Sequence, residues 1–199
     1  GSTEAQTLIN LAYFGYLHDK YNMDLDIYAW DAGNLDGAGG TYEGAESAKN
    51  KAQYPNGYAP IAEAAKKIGT RLGVWCGPDG FGDTPEQAAA RHELMVSLCR
   101  DYHFAEFKID GVCGQLRPEK RENFVRMMKE CRKYSPDLVL LNHRLELGIG
   151  NPYATTFLWN GQETYVDVFV GNKITAPHNR SYLFFRGNVP ELQRLSEDH

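Results

Sequence analysis

The sequence predicts an α/β fold built on a parallel sheet, and two observations lead there. Helix-like and strand-like segments alternate from the start, which implies βαβ units with right-handed crossovers. Four apolar runs also stop on charged, polar or aromatic residues, as strands do where a parallel sheet opens to solvent. They are Tyr28-Ala29-Trp30-Asp31, Gly73-Val74-Trp75-Cys76-Gly77-Pro78, Phe104 to Asp110 followed by Gly111, and Leu140-Leu141-Asn142-His143-Arg144. Four such ends pointing one way imply a single pocket.

The elements follow in order. Thr7 to Asp19 carries Leu8, Leu11, Phe14 and Leu17 at helical spacing, and strand Leu25–Trp30 comes next. A glycine-rich stretch, Asp31 to Tyr42, leads past Tyr54-Pro55-Asn56-Gly57 to a helix over Pro60–Ile68, with proline suited to its first turn. Arg71–Cys76 is the second strand. Thr84-Pro85-Glu86-Gln87 is a capping box that opens the third helix, whose apolar face runs through Leu94 and Leu98. Strand Phe104–Asp110, a helix from Pro118 to Tyr134 stopped by Ser135-Pro136, and strand Leu138–Asn142 complete the clear part. Phe157–Trp159 and Val166–Val170 are two further strand candidates, and Val189–Leu195 is a short helix candidate.

A doubly wound nucleotide-binding sheet wants a glycine-rich turn tight against a helix after its first strand. The stretch Gly33 to Gly44 has neither phosphate-loop spacing, which favours a (β/α)8 TIM-type barrel. Five or six strands can be found where a closed barrel has eight, so residues 1–199 are expected to be one incomplete barrel domain. The remaining barrel strands would come from a parent chain. Open sheet edges make this piece alone marginal or prone to associate, and a sharp monomeric unfolding transition would contradict that.

Composition narrows the partners. A formal charge of −5 without a basic stripe argues against nucleic acid. No apolar stretch approaches a membrane span, and the first residues show no basic-then-apolar leader, which leaves the compartment open. The four cysteines lack metal or redox spacing; Cys76 and Cys113 follow strand ends, whereas Cys99 and Cys131 fall in helical patterns and read as core. The 12 Tyr, 9 Phe and 3 Trp lie largely beside glycine and polar residues, which suits sugar faces as well as core filling.

Tyr54-Pro55-Asn56-Gly57-Tyr58-Ala59-Pro60-Ile61-Ala62-Glu63, running on to Gly73-Val74-Trp75, is similar to the "F-P-N-G-L-K-P-L-A-D" helix entry and third-strand "G-L-W" of the clan D glycoside hydrolases, family 36, the α-galactosidase-like group. Phe107-Lys108-Ile109-Asp110 resembles that family's "K-x-D", whose aspartate is the nucleophile, and Asp31 falls where the family has a substrate-binding aspartate. By order of elements the resemblance covers residues 7 to 170. It implies a retaining α-glycosidase, most like an α-galactosidase, that acts on terminal α-linked sugars of an oligosaccharide or glycoside and needs no cofactor. Export would fit a glycan-degrading enzyme. The family's sixth-strand "W-x-S-D-x-x-D" is replaced here by Trp159-Asn160-Gly161-Gln162-Glu163-Thr164-Tyr165-Val166-Asp167, which leaves Glu163 or Asp167 as acid/base and puts galactose specificity in doubt.

In that chemistry two carboxylates flank the scissile bond about 5–5.5 Å apart. Asp110 is the candidate nucleophile, and Lys108, two residues earlier on the same strand, faces the same side and favours its ionised form. Asp31 would accept from sugar hydroxyls, Trp75 or Trp30 would offer an apolar face, His143 and Arg144 would donate to hydroxyls on the opposite side, and Cys76 and Trp159 would also contact the substrate. Each has a plainer role open to it: a buried structural pair for Lys108 and Asp110, a turn for Asp31, a local bond for His143. A carbohydrate-binding barrel without a working acid/base, or a metal-dependent hydrolase using Asp31, Asp110, His143 and Glu163, are the other functions weighed.

Overall fold

The computed structural model describes residues 3–31, 33–35, 47–77, 80–110, 116–143 and 147–155, with the side chains of His143 and Asn151 left aside. These fall within one unit, Gly1–Thr156. Four strands, β1 (Ile27–Trp30), β2 (Arg71–Cys76), β3 (Glu106–Asp110) and β4 (Val139–His143), pair in parallel in the order β1-β2-β3-β4. The helices that connect them are α3 (Ala59–Lys67), α4 (Pro85–Tyr102) and α5 (Arg121–Tyr134), with α1 (Glu4–Tyr21) ahead of β1. Strand order never reverses among the described strands. With right-handed crossovers, an unreversed order returns each helix to the same side of the sheet.

Burial shows which side. Trp30, Leu72, Val74, Cys76, Phe107, Ile109 and Leu140 lie in one core with Ile61 and Ala65 of α3, Met95 and Leu98 of α4, and Phe124, Met127 and Met128 of α5. The alternate residues Ala29, Gly73, Trp75, Glu106, Lys108, Asp110, Val139 and Leu141 therefore point to the other face. Side chains there are far less uniformly covered: Ala29 is exposed, and Glu106, Lys108, Val139 and Leu141 are half-buried.

Local chemistry sets the helix ends. Thr3 caps α1 by accepting from the Gln6 N–H at 3.2 Å, and Asn22 ends it in the left-handed conformation (φ 54°) that asparagine tolerates. The Thr84–Gln87 capping box forms as the sequence predicts and opens α4 at Pro85. Around the Tyr54–Gly57 turn, Glu4 of α1 accepts from the Asn56 backbone N–H at 3.0 Å and its amide Nδ2 at 2.9 Å, which ties the first helix to the start of the third.

Several boundaries differ from the sequence-based expectation by two or three residues: β1 starts at Ile27, β3 at Glu106, and a 3-10 turn over Pro118–Lys120 precedes α5. One helix was not anticipated. Segment α2 (Ala48–Gln53) has no apolar period; Ser47 caps it, and Asn50 Nδ2 donates to the Asn34 carbonyl at 3.3 Å and the Tyr58 hydroxyl at 3.2 Å. Burial pushes the Tyr58 phenol up to about 12. The strand candidates Phe157–Trp159 and Val166–Val170 and the helix candidate Val189–Leu195 lie outside the described residues.

Gly73 is the tightest point of the sheet. A Cβ there would stand 2.9 Å from that of Glu106 and 3.0 Å from that of Ala29, so any side chain must push β1 or β3 aside. Gly73→Val is expected to lower stability by about 1–3 kcal/mol, the usual cost of overpacking. Thr84→Ala should cost about 1 kcal/mol through the lost cap. Urea unfolding of the two variants would give the ranking.

Candidate functional site

The site lies on the open face at the C-terminal ends of the strands. Register places Trp75 beside Lys108 and Lys108 beside Leu141, and puts Asp110 beside His143 one rung further on. Asp31, one residue past β1, continues that strand to the level of Trp75. A layer of Asp31, Trp75 and Lys108 is thus followed by Asp110 at the very end of β3.

One contact spans the first layer and another joins it to Asp110. The Lys108 ammonium donates to Asp31 Oδ1 at 3.1 Å, reaching past β2, and the Trp75 indole N–H donates to Asp110 Oδ2 at 3.3 Å. Burial of the four differs sharply: Trp75 is wholly covered and Asp110 is 6% exposed, whereas the Lys108 side chain is 18% and the Asp31 side chain 75% exposed. An ion pair with one partner so open is worth no more than about 1 kcal/mol. Its effect is to orient. Lys108 is held at the mouth, and the carboxylate of Asp110 sits in a covered place with an indole donor against one oxygen.

Of the residues singled out in the sequence, the structure brings together Asp31, Trp75, Lys108 and Asp110. It does not bring Trp30 or Cys76 to them. Trp30 points to the helix side, where its ring packs against Tyr54, Tyr58 and Phe104 at centroid distances of 5.7, 5.6 and 6.0 Å and its N–H donates to Thr7 Oγ1 at 2.9 Å. Cys76 lies on the same side, around a small cavity with Arg91, Met95, Ile109, Phe124 and Met127. Cys99 and Cys131 are fully buried in the core. Cys113, Arg144, Trp159, Glu163 and Asp167 fall outside the described residues, and His143 is placed by its backbone alone. Among the described residues no three His, Cys, Asp or Glu side chains gather as metal ligands.

The chain matches no family model and no curated protein. Solved structures similar to part of it include the following two. One is a GH36 α-galactosidase from Geobacillus stearothermophilus in complex with raffinose, 12% identical over 70% of this chain and 25% of that one, with a TM-score of 0.44. The other is a putative α-galactosidase from Bacteroides fragilis, 16% identical over 70% of this chain and 30% of that one, with a TM-score of 0.47. The chain spans less than a third of the length of either.

Three cations brace the segment from Gly80 to Asp83, which follows β2. Arg91, 2% exposed on α4, donates its Nε–H to the Gly80 carbonyl at 2.7 Å. Lys120 donates to the Gly82 carbonyl, and Arg117 donates to Asp83 Oδ1 at 2.7 Å and to Gly82 at 3.4 Å. The Arg117 hydrogen bond and charge hold the Asp83 carboxyl below the usual aspartate range. A Cβ on Gly80 would displace the Arg91 guanidinium, and Gly82, with φ +66° and Gln87 against it, favours glycine. Sequence reasoning missed these cations. The signal for Arg91 was present, since it interrupts the buried face Ala88, Arg91, Met95, Leu98 at helical spacing.

Arg91→Met keeps the bulk and removes the donor, leaving the Gly80 carbonyl without that partner. It should lower stability by about 1–3 kcal/mol. Chemical denaturation measures this, with Arg91→Lys recovering part of the loss.

Proposed function

We propose that this chain forms part of the catalytic face of a retaining α-glycosidase, most like an α-galactosidase, built on a (β/α)8 barrel to which residues 1–199 contribute one incomplete domain. The observation that carries the proposal is the meeting of Asp31, Lys108 and Asp110 on the open face at the C-terminal ends of parallel strands. The unreversed order β1-β2-β3-β4, with α3, α4 and α5 packed on one side of the described sheet, supports the barrel, because a barrel keeps its helices outside and its active site at that end of the strands.

In this reading Asp110 attacks the anomeric carbon of a terminal α-linked sugar. The bond to the leaving oxygen breaks as that oxygen takes a proton from a carboxylic acid, and a covalent glycosyl ester forms on Asp110; water then releases the sugar with the second carboxylate as base. Trp75, donating to Oδ2, fixes the orientation of the Asp110 carboxylate. Lys108 and Asp31 fit the roles of donor and acceptor to sugar hydroxyls at the mouth. Glu163 or Asp167 is proposed from the sequence as the acid/base, with His143, Arg144 and Trp159 as further sugar contacts. Trp30 and Cys76 are left out, because both face the helices.

Treating the intact protein with an activated 2-fluoro-glycoside and mapping its peptides should place one sugar on Asp110, and Asp110→Asn should remove the label. Lys108→Met should lower kcat/KM by about ten- to a hundredfold, the weight of a charge-assisted hydrogen bond. Absence of label with several sugar configurations, alongside retained sugar binding, would assign the chain to the non-catalytic carbohydrate-binding barrel instead.

A further inference from the structure

Beneath Lys108 on the open face lies a carboxylate that the proposed chemistry does not use. Glu106 is two residues earlier on β3, hence on the same side and about 6.6 Å further down the strand. Its register partners are Gly73 on β2 and Val139 on β4, and Gly73 is in turn opposite Ala29 of β1. The missing side chain at Gly73 is what admits Glu106 at this level, since a Cβ there would meet that of Glu106 at 2.9 Å.

Charges around it are few. From β1 the neighbours are Ile27 and Ala29, and from β4 Val139 and Leu141. Arg71 of β2 is on the same face two residues before Gly73, at the same end of the sheet as Glu106, and is committed to the His103 carbonyl at 3.2 Å and Asp137 at 2.6 Å. Asp31 is paired with Lys108, and Asp110 accepts from Trp75. Among the described residues Lys108 is the cation that acts on Glu106.

We propose that Glu106 is a positioning residue for Lys108: when neutral it leaves the ammonium with Asp31 at the mouth, and when ionised it draws the ammonium down β3. A lysine stem spans this interval without any backbone movement. The consequence for a sugar at the mouth rests on the glycosidase reading; the coupling between Glu106 and Lys108 does not.

Burial raises the Glu106 carboxyl above the ordinary glutamate value of 4.5, and Lys108 pulls it partly back. A group that holds its proton more tightly in the folded chain contributes stability that is complete below the unfolded value and is lost as pH rises through the folded one. Glu106→Gln fixes the neutral form, so it should match the wild type at acid pH and be the more stable of the two at neutral pH.

The test is a carboxyl 13C NMR titration of the ligand-free intact protein, with the Glu106 resonance identified by its loss in Glu106→Gln. Its midpoint should lie above the ordinary glutamate range and rise by at least about half a unit in Lys108→Met. A midpoint at the ordinary value, or one unmoved in Lys108→Met, overturns the proposal. Should Glu106→Gln fail to fold, Glu106→Met gives the same assignment. In a second arm, the affinity for methyl α-D-galactopyranoside should fall at least about threefold between pH 4 and 7 in the wild type and stay flat in Glu106→Gln. Equal slopes in the two proteins overturn the positioning role. No binding at any pH, with the NMR coupling intact, sinks the glycosidase reading and leaves the Glu106–Lys108 coupling standing.

Discussion

Burial of Phe107 and Ile109 in the helix-side core fixes where every other residue of β3 faces. With a period of two, Glu106, Lys108 and Asp110 are left on the opposite side, and neither charge nor hydrogen bonding has to pay to send them there. A slip of one residue would drive three charged side chains under the helices and expose two large apolar ones. The same constraint passes through the register to β2 and β4, so the alignment of Trp75 with Lys108 and of Asp110 with His143 follows from packing on the far side of the sheet.

Given that frame, the polar contacts on the open face act chiefly on direction. The Lys108–Asp31 pair is too exposed on the Asp31 side to add much to stability, yet it joins the end of β1 to the middle of β3 across β2. Trp75 is the complementary case. Its fully covered ring fixes an indole donor against Asp110, and a buried aromatic with few rotamers holds that donor more firmly than a flexible side chain would.

Much of this was legible in the chain. The Thr84–Gln87 box, the limits of β2 and the stop at Ser135-Pro136 are local signals, and the structure has each of them. So too is the joint facing of Lys108 and Asp110, because Phe107 and Ile109 alternate with them. Trp30 and Trp75 show where such signals end. Both lie at or next to the end of an apolar run, and in Tyr28-Ala29-Trp30 and Val74-Trp75-Cys76 nothing polar alternates to reveal the phase. Only backbone register decides that Trp30 aligns with Val74 on the helix side while Trp75 aligns with Lys108 on the other. The six-residue helix Ala48–Gln53 was hidden for a different reason: its partners, Asn34 and Tyr58, are distant in sequence and polar, and leave no apolar period.

The bracing of Gly80–Asp83 bears on time rather than on energy. A segment held by one fully buried guanidinium and a buried ammonium cannot swing away without leaving both cations beneath it without those carbonyls, so it behaves as a wall and not as a lid. An occupant resting against that segment would meet a fixed edge, and microsecond gating of the kind that mobile loops impose on many enclosed sites would have to come from other segments.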